Sequence, residues 1–287
     1  MDTVISPEIT RALLTEGGAV TIPTAKAAIN DIESFLTIYP RGGLAGKISL
    51  LVSPEQREID RWLSAYGDLI DFIALDTLHF APHRHLDAVR YIRQSIKRIG
   101  IISGNIVHST DAQILIDEGV DVIRVGMSAA SINRGEMMTG CGRSQLGAIL
   151  DCASVCNRAG VPLISDGGIQ TPADAFKALA CGASAVMMGK VFAALEESGA
   201  EAVLYENAPH KIYHGMSRPG MIGDDMVPEG VEKLVPVSGT VRGFLSSWTK
   251  ALRTSISRAG SSSIEELWKT ATLEIKSAFS RECGASR

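Results

Sequence analysis

Residues 161–191, VPLISDGGIQTPADAFKALACGASAVMMGKV, leave the chain few choices of fold. Residues 161–165 form a short, continuous apolar run, the pattern of a buried strand. Asp166-Gly167-Gly168 turns the chain. Thr171-Pro172-Ala173-Asp174 then opens a helix, with threonine at the N-cap, proline at the first position and an acid at the third. Residues 185–188 are the next buried strand, ending at Gly189-Lys190. Two parallel strands that each end in glycine bring backbone N–H groups close to one point, and a helix starting just beyond adds its positive end. That arrangement suits an anion. A plain strand–helix–strand unit whose glycines only make tight turns would read the same way.

The rest of the chain repeats the pattern. Residues 19–22, 48–52, 72–75, 101–103 and 122–125 are further short apolar or β-branched runs. Helical stretches alternate with them: residues 7–16, one opened by Ser53-Pro54-Glu55, one opened by Ser109-Thr110-Asp111, and residues 146–159. Strands alternating with helices predict an α/β chain with a parallel sheet and right-handed crossovers. Seven strands are one short of a (β/α)8 TIM barrel, so the first strand is expected upstream of Met1. The two strands of the opening stretch are then strands seven and eight, whose loops commonly hold phosphate in such barrels. Further on, the sequence predicts a helical turn after Lys190, a hairpin over residues 205–213, a Gly/Pro/Met-rich loop over 215–230, and two closing helices at 240–259 and 263–279.

At 287 residues, 45% hydrophobic and 21% charged, the chain suits a single large domain over residues 1–287. A net charge of −4 and the lack of a basic face argue against a nucleic-acid polymer as partner. Five cysteines without a CxxC pair, no leader and no apolar run of 18 predict a cytoplasmic protein with reduced thiols and no membrane contact. Cys152, Cys156 and Cys181 fall on helical stretches and read as core thiols.

Several motifs now coincide in order: MDTV at the start, Asp76 at a strand end, Gly104-Asn105-Ile106, Val125-Gly126-Met127 followed by Ser131-Ile132, Thr139 to Gln145 (TGCGRSQ), Asp166-Gly167-Gly168-Ile169, Met187-Met188-Gly189, Tyr213 to Ser217 (YHGMS) and Glu229-Gly230. Together they resemble the IMP dehydrogenase / GMP reductase family over nearly the whole length. The resemblance implies an oxidoreductase acting on a purine nucleoside 5′-monophosphate with NADP(H) or NAD(H). It places the phosphate among Ser131, Gly168, Gly189, Lys190 and Tyr213, the ribose diol on Asp166 with Asn105 nearby, and the base edge on Gly215, Met216 and Glu229. Asp76, Thr77, Gly126 and Met127 are implied for the nicotinamide cofactor. A homo-oligomer, a tetramer in the family, is implied as well.

The departures matter as much. Where the family has its cysteine nucleophile after Ser-Ile, this chain has Asn133, and an amide is not a nucleophile. The family's threonine two residues later is Gly135, and the loop glycines are Ser128 and Ala130, which argues against the family's monovalent-cation site. Lys190 stands where a serine is usual, either as a cation beside the phosphate or as a solvated rim lysine. Eleven residues separate Ser217 from Glu229, and no regulatory insert interrupts the strands; both features are closer to GMP reductase. Two other readings stay open: a nucleotide-binding paralogue without catalysis, and a flavin mononucleotide barrel. His79, His83 and His85 have no supporting cysteine or acid cluster, so no metal is expected; they read as polar loop histidines or, for His79, as a proton relay beside Asp76.

Overall fold

The computed structural model describes residues 3–24, 36, 45–75, 82–96, 98–127, 140–214 and 232–274. Ser6 caps helix α1 (Pro7–Thr15), its side chain accepting from Ile9 N at 3.1 Å, and Pro7 fills the first turn. The helix turns Ile9, Leu13 and Leu14 inward. Strands β1 (Ala19–Pro23), β2 (Lys47–Val52), β3 (Phe72–Leu75), β4 (Gly100–Ile106), β5 (Val122–Val125), β6 (Leu163–Asp166) and β7 (Ala185–Met187) then form one parallel sheet in chain order. Between them run α2 (Gln56–Tyr66), α3 (Pro82–Ser95), α4 (Ser109–Asp117), α5 (Gln145–Ala159) and α6 (Pro172–Ala180). Each of the seven strands expected from the sequence is present, with ends moved by at most three residues. The result is a curled seven-stranded sheet of TIM-barrel type. Among the described residues β1 and β7 are not paired with each other.

Alternation along each strand builds two separate apolar layers. Leu51, Ala74, Ile102 and Val122, with Phe72 and Ile164, meet on the concave face. Leu50, Val52, Ile73, Leu75, Ile101, Ile123, Val125 and Leu163 point the other way, into the much larger layer shared with the helices. Each fully buried Leu or Ile there contributes about 1.5–3 kcal/mol.

Helix α6 starts as its sequence demands: Thr171 and Asp174 form a reciprocal capping box with Pro172 in the first turn. Other starts differ from expectation. The helix after Ser53-Pro54-Glu55 begins at Gln56, and Glu55 caps it without a side-chain bond. At α4 the N-cap is His108; Ser109 is already helical, and its hydroxyl turns to Asp151 Oδ1 at 2.9 Å instead. His83 and His85 are not loop residues. They lie in the first turns of α3, His83 exposed and His85 fully buried.

After β7 comes the expected helical turn, α7 (Lys190–Ala193). The hairpin is present as β8 (Ala202–Tyr205) and β9 (Ala208–His214), joined by Glu206 and Asn207 at φ 49° and 61°, the geometry of a two-residue primed turn. It is part of a larger unit, because β10 (Glu232–Pro236) adds antiparallel to β9. Helix α8 (Val241–Arg258) packs Phe244 against Phe192 and Trp248. The last helix, α9 (Ile264–Thr270), is shorter than its sequence suggests. Ala271 is extended at φ −69° and ψ 131°, which ends the helix, and Leu273 beyond it is 43% exposed. Residues 275–279 of that expected helix lie outside the described residues.

Candidate active site at the carboxyl ends of the strands

The carboxyl ends of β4, β5 and β6 converge on a small polar cluster. Asn105 Nδ2 donates to Gly126 O at 2.8 Å and to Asp166 Oδ2 at 2.9 Å, so one amide ties three strand ends together. Beneath it lies Arg124, only 7% exposed, the third residue of an otherwise apolar strand. Its Nη2 donates to Gly104 O at 3.4 Å and its Nε stands 3.9 Å from Asp166 Oδ2. At an effective dielectric of about 20 that separation gives an attraction of about 4 kcal/mol, the same order as the cost of taking the guanidinium out of water. The pair is therefore roughly balanced, and its main effect is to fix where the carboxylate points.

Close packing of β5 on β6 sets the cluster's dimensions. Gly126 has φ +143°, and a Cβ built on it would lie 2.0 Å from Asp166 O and 2.7 Å from Gln145 Oε1. Gln145, the first residue of α5, donates from Nε2 to Val125 O at 2.9 Å and Ser165 Oγ at 3.0 Å, bracing the same two strands from outside. Met127 follows Gly126 and packs half-buried on the core.

On the other side, Tyr213 of β9 is 3% exposed. Burial, and then the nearby Asp166 charge, push its phenol well above the ordinary value, so the hydroxyl stays a proton donor throughout the neutral range. Gly167 and Gly168, at φ +103° and +77°, make the turn after β6. Gly189 caps α7, and Lys190 at its first position donates from Nζ to Gln170 Oε1 at 3.1 Å, bridging the turns after β6 and β7. The positive end of α6 is already occupied. Asp174 Oδ2 accepts from Gln170 N at 3.3 Å, Thr171 N at 3.0 Å and Thr171 Oγ1 at 2.8 Å.

A second cluster supports the TGCGRSQ segment. Arg143 Nη1 donates to Val107 O at 2.7 Å and to Asp151 Oδ2 at 2.6 Å, and contacts His108 Nδ1 at 3.0 Å. The Arg143 guanidinium and the Ser109 hydroxyl hold the Asp151 carboxyl below the usual range. Cys141 is exposed, whereas Cys152 and Cys156 are buried in α5 and Cys181 is buried at the C-cap of α6. Burial pushes the thiols up to about 12 for Cys152 and about 11 for Cys156, far from a reactive thiolate.

Of the residues the sequence points to, Asn105, Gly126, Asp166 and Tyr213 are brought together, with Gly168, Gly189 and Lys190 on the adjoining turns. Asp76, Thr77, Ser131, Asn133, Gly215, Met216 and Glu229 lie outside the described residues. Arg124 escaped the sequence reading; a lone arginine inside VIRV was its one signal, since a charge on a buried strand demands a partner. Among the described residues no group of His, Cys, Asp and Glu could hold a metal, and no helix is long and apolar enough to cross a membrane.

Comparison with known proteins shows the family. The model of the IMP dehydrogenase / GMP reductase domain matches residues 43–285. The chain is 37% identical over 230 residues to an inosine-5′-monophosphate dehydrogenase of Cryptosporidium parvum, covering 74% of this chain and 57% of that protein. It is 31% identical over 238 residues to that of Aquifex aeolicus, covering 78% and 49%. With the Chlorobaculum tepidum enzyme it shares 30% identity over 325 aligned positions, covering 98% and 66%. The chain spans about half the length of most of the curated relatives it matches.

Proposed function

This chain belongs to the IMP dehydrogenase / GMP reductase domain family, and on that footing we propose that it is an oxidoreductase acting on a purine nucleoside 5′-monophosphate or a close analogue. The observation that carries the reading is the Asn105–Asp166–Arg124 cluster at the barrel mouth. A ribose diol needs a fixed carboxylate acceptor, and Asp166 is aimed by an amide and a guanidinium that leave its outer oxygen surface to a ligand. The glycine turns at Gly168 and Gly189 present backbone N–H groups toward a phosphate, and the buried Tyr213 phenol adds a permanent donor. Gly215, Met216 and Glu229 are assigned to the base by the family pattern.

A nicotinamide cofactor, NAD(H) or NADP(H), is assigned beside this cluster by the family pattern; the space next to Gly126 is filled by Asp166 O and the Gln145 side chain, so the glycine itself serves the packing of the strand ends. When bound, the cofactor supplies the hydride acceptor or donor. Asp76, Thr77, Gly126 and Met127 are the residues we assign to holding it. The chain's own part is to bind the nucleotide, orient its sugar and exclude water from the mouth.

Asn133 shapes the chemistry. Without a thiolate, covalent activation of the purine is closed to this position. The substrate on this reading is a purine whose reacting carbon is already electrophilic, handled by a pocket with the short loop of a GMP reductase. The same substitution, together with Gly135, favours a second reading, a paralogue that binds the nucleotide without turning it over. A homo-oligomer accompanies either reading.

A reaction panel tests both. IMP, GMP, XMP and AMP are each mixed with oxidised and reduced nicotinamide cofactors, following nicotinamide absorbance and product masses. Turnover of any one supports the enzyme. Nucleotide-dependent thermal protection without turnover means an intact pocket and moves the search to an unusual purine analogue or to a binding role. Neither turnover nor protection removes both.

A further inference from the structure

Lys190 sits where the family pattern has a serine, and its surroundings give it a definite task. Asp174 closes the amide end of α6, covering Gln170 N and Thr171 N, and is itself met by Lys177 Nζ at 3.2 Å. An anion at the barrel mouth therefore finds a carboxylate, not a free helix end, on that side. What remains for it are the turns. Neither the Gly168 nor the Gly189 amide is engaged by another backbone group among the described residues. Lys190 Nζ reaches across from the β7 turn to the β6 turn and rests on Gln170 Oε1 at 3.1 Å. Its acceptor is neutral, and no carboxylate pairs with Lys190 among the described residues. The ammonium thus bridges the two glycine turns on the exposed rim, with no carboxylate partner among the described residues.

We propose that Lys190, steadied by Gln170, is the charge partner of the 5′-phosphate, so that this pocket takes the phosphate through an ion pair where a serine would offer one neutral donor. The proposal rests on the nucleotide reading above for the identity of the base and sugar, but not for the anion. A hydroxyl gives nearly the same bond at any ionic strength. An ammonium on a rim gives a stronger one that salt weakens. Gln170 leaves the lysine's charge intact, as a carboxylate at the same place would not. Tyr213 stays protonated and contributes a donor that is indifferent to salt.

The test is equilibrium binding of GMP, IMP, ribose 5-phosphate and guanosine to the full chain and to Lys190→Met, Lys190→Ser and Lys190→Arg, at low and at physiological salt. Circular dichroism confirms that each variant is folded. The expected result is a loss of about tenfold or more for the three phosphates in Lys190→Met at low salt, no change for guanosine, rescue by arginine, and a flattened salt dependence in both the methionine and serine variants. Equal affinity of wild type and Lys190→Met, or an unchanged salt dependence, overturns the proposal. The two readings fail separately. Ribose 5-phosphate bound as tightly as GMP and IMP, with the Lys190 dependence intact, removes the purine reading and keeps this one. Tight GMP binding indifferent to Lys190 does the reverse. No binding of any anion by wild type removes both.

Discussion

Replacing Gly126 by alanine tests how closely the strand ends at the site are packed. The added Cβ would lie 2.0 Å from Asp166 O, where a carbon–oxygen contact normally needs about 3.3 Å, so strands β5 and β6 must part by about 1.3 Å at their carboxyl ends. The backbone angle adds strain of its own, since φ +143° is disfavoured for a residue with a side chain, at about 1–3 kcal/mol. Because both obstacles are backbone, neither relaxes by a rotamer change. The sum is a loss of about 3–5 kcal/mol, near the upper end for a single substitution. Gly160 provides the control. It has φ +68° at the end of α5 and nothing within 4 Å of a built Cβ, so alanine there costs only the left-handed strain, about 1–2 kcal/mol. Thermal or urea unfolding followed by circular dichroism compares the two. Gly126→Ala should melt about 5–10 °C below Gly160→Ala. Equal melting temperatures would refute the argument, because the Asp166 carbonyl would then not be packed on Gly126. Any Gly126→Ala protein that folds should also lose nucleotide affinity, since the Asn105–Gly126 bond of 2.8 Å and the Asp166 carboxylate move with the strand ends.

Three further outcomes follow from the same structure. Thr171→Ala removes the reciprocal cap of α6 and should cost about 1 kcal/mol in unfolding experiments, with Thr171→Ser close to wild type. The thiols of Cys152 and Cys156 are raised in the folded chain, from 9.0 to about 12 and about 11, so the unfolded chain releases their protons first as pH rises. Their contribution to stability is whole below pH 9 and falls away between there and the folded values; Cys152→Ala should lessen the alkaline loss of melting temperature. Thiol labelling of native protein should likewise reach Cys141 quickly and Cys152, Cys156 and Cys181 only on unfolding.

The strands were legible because each is a short apolar run closed by turn residues, and burial on both faces of a parallel sheet demands that pattern. The cap of α6 was legible residue by residue, since Thr171, Pro172 and Asp174 are each selected by backbone geometry at a helix start. What escaped depends on partners distant in sequence. Strand β10 is only EKLVP, and it becomes a strand by pairing with His210 to His214. Helix α9 stops at Thr270 although Ala271 favours helix, because Ala271 takes up an extended backbone there, which its own propensity does not record. His85 looked like one of three polar loop histidines; its place inside α3 follows from which helix face meets the sheet. At the site, Asn105, Gly126 and Asp166 were marked by family pattern, whereas Arg124 was hidden by its apolar neighbours. Its value lies in a 3.9 Å approach to a residue 42 positions away, which no local pattern records.

The measurement that tests the central claim most directly is calorimetric titration of the chain with IMP and GMP, wild type against Asp166→Ala. Saturable binding of at least one nucleotide by wild type is expected, with its loss by about tenfold or more in Asp166→Ala and no change in Cys141→Ala, a substitution at an exposed thiol. Wild type that binds neither nucleotide, or that binds one with the same affinity as Asp166→Ala, would contradict the claim.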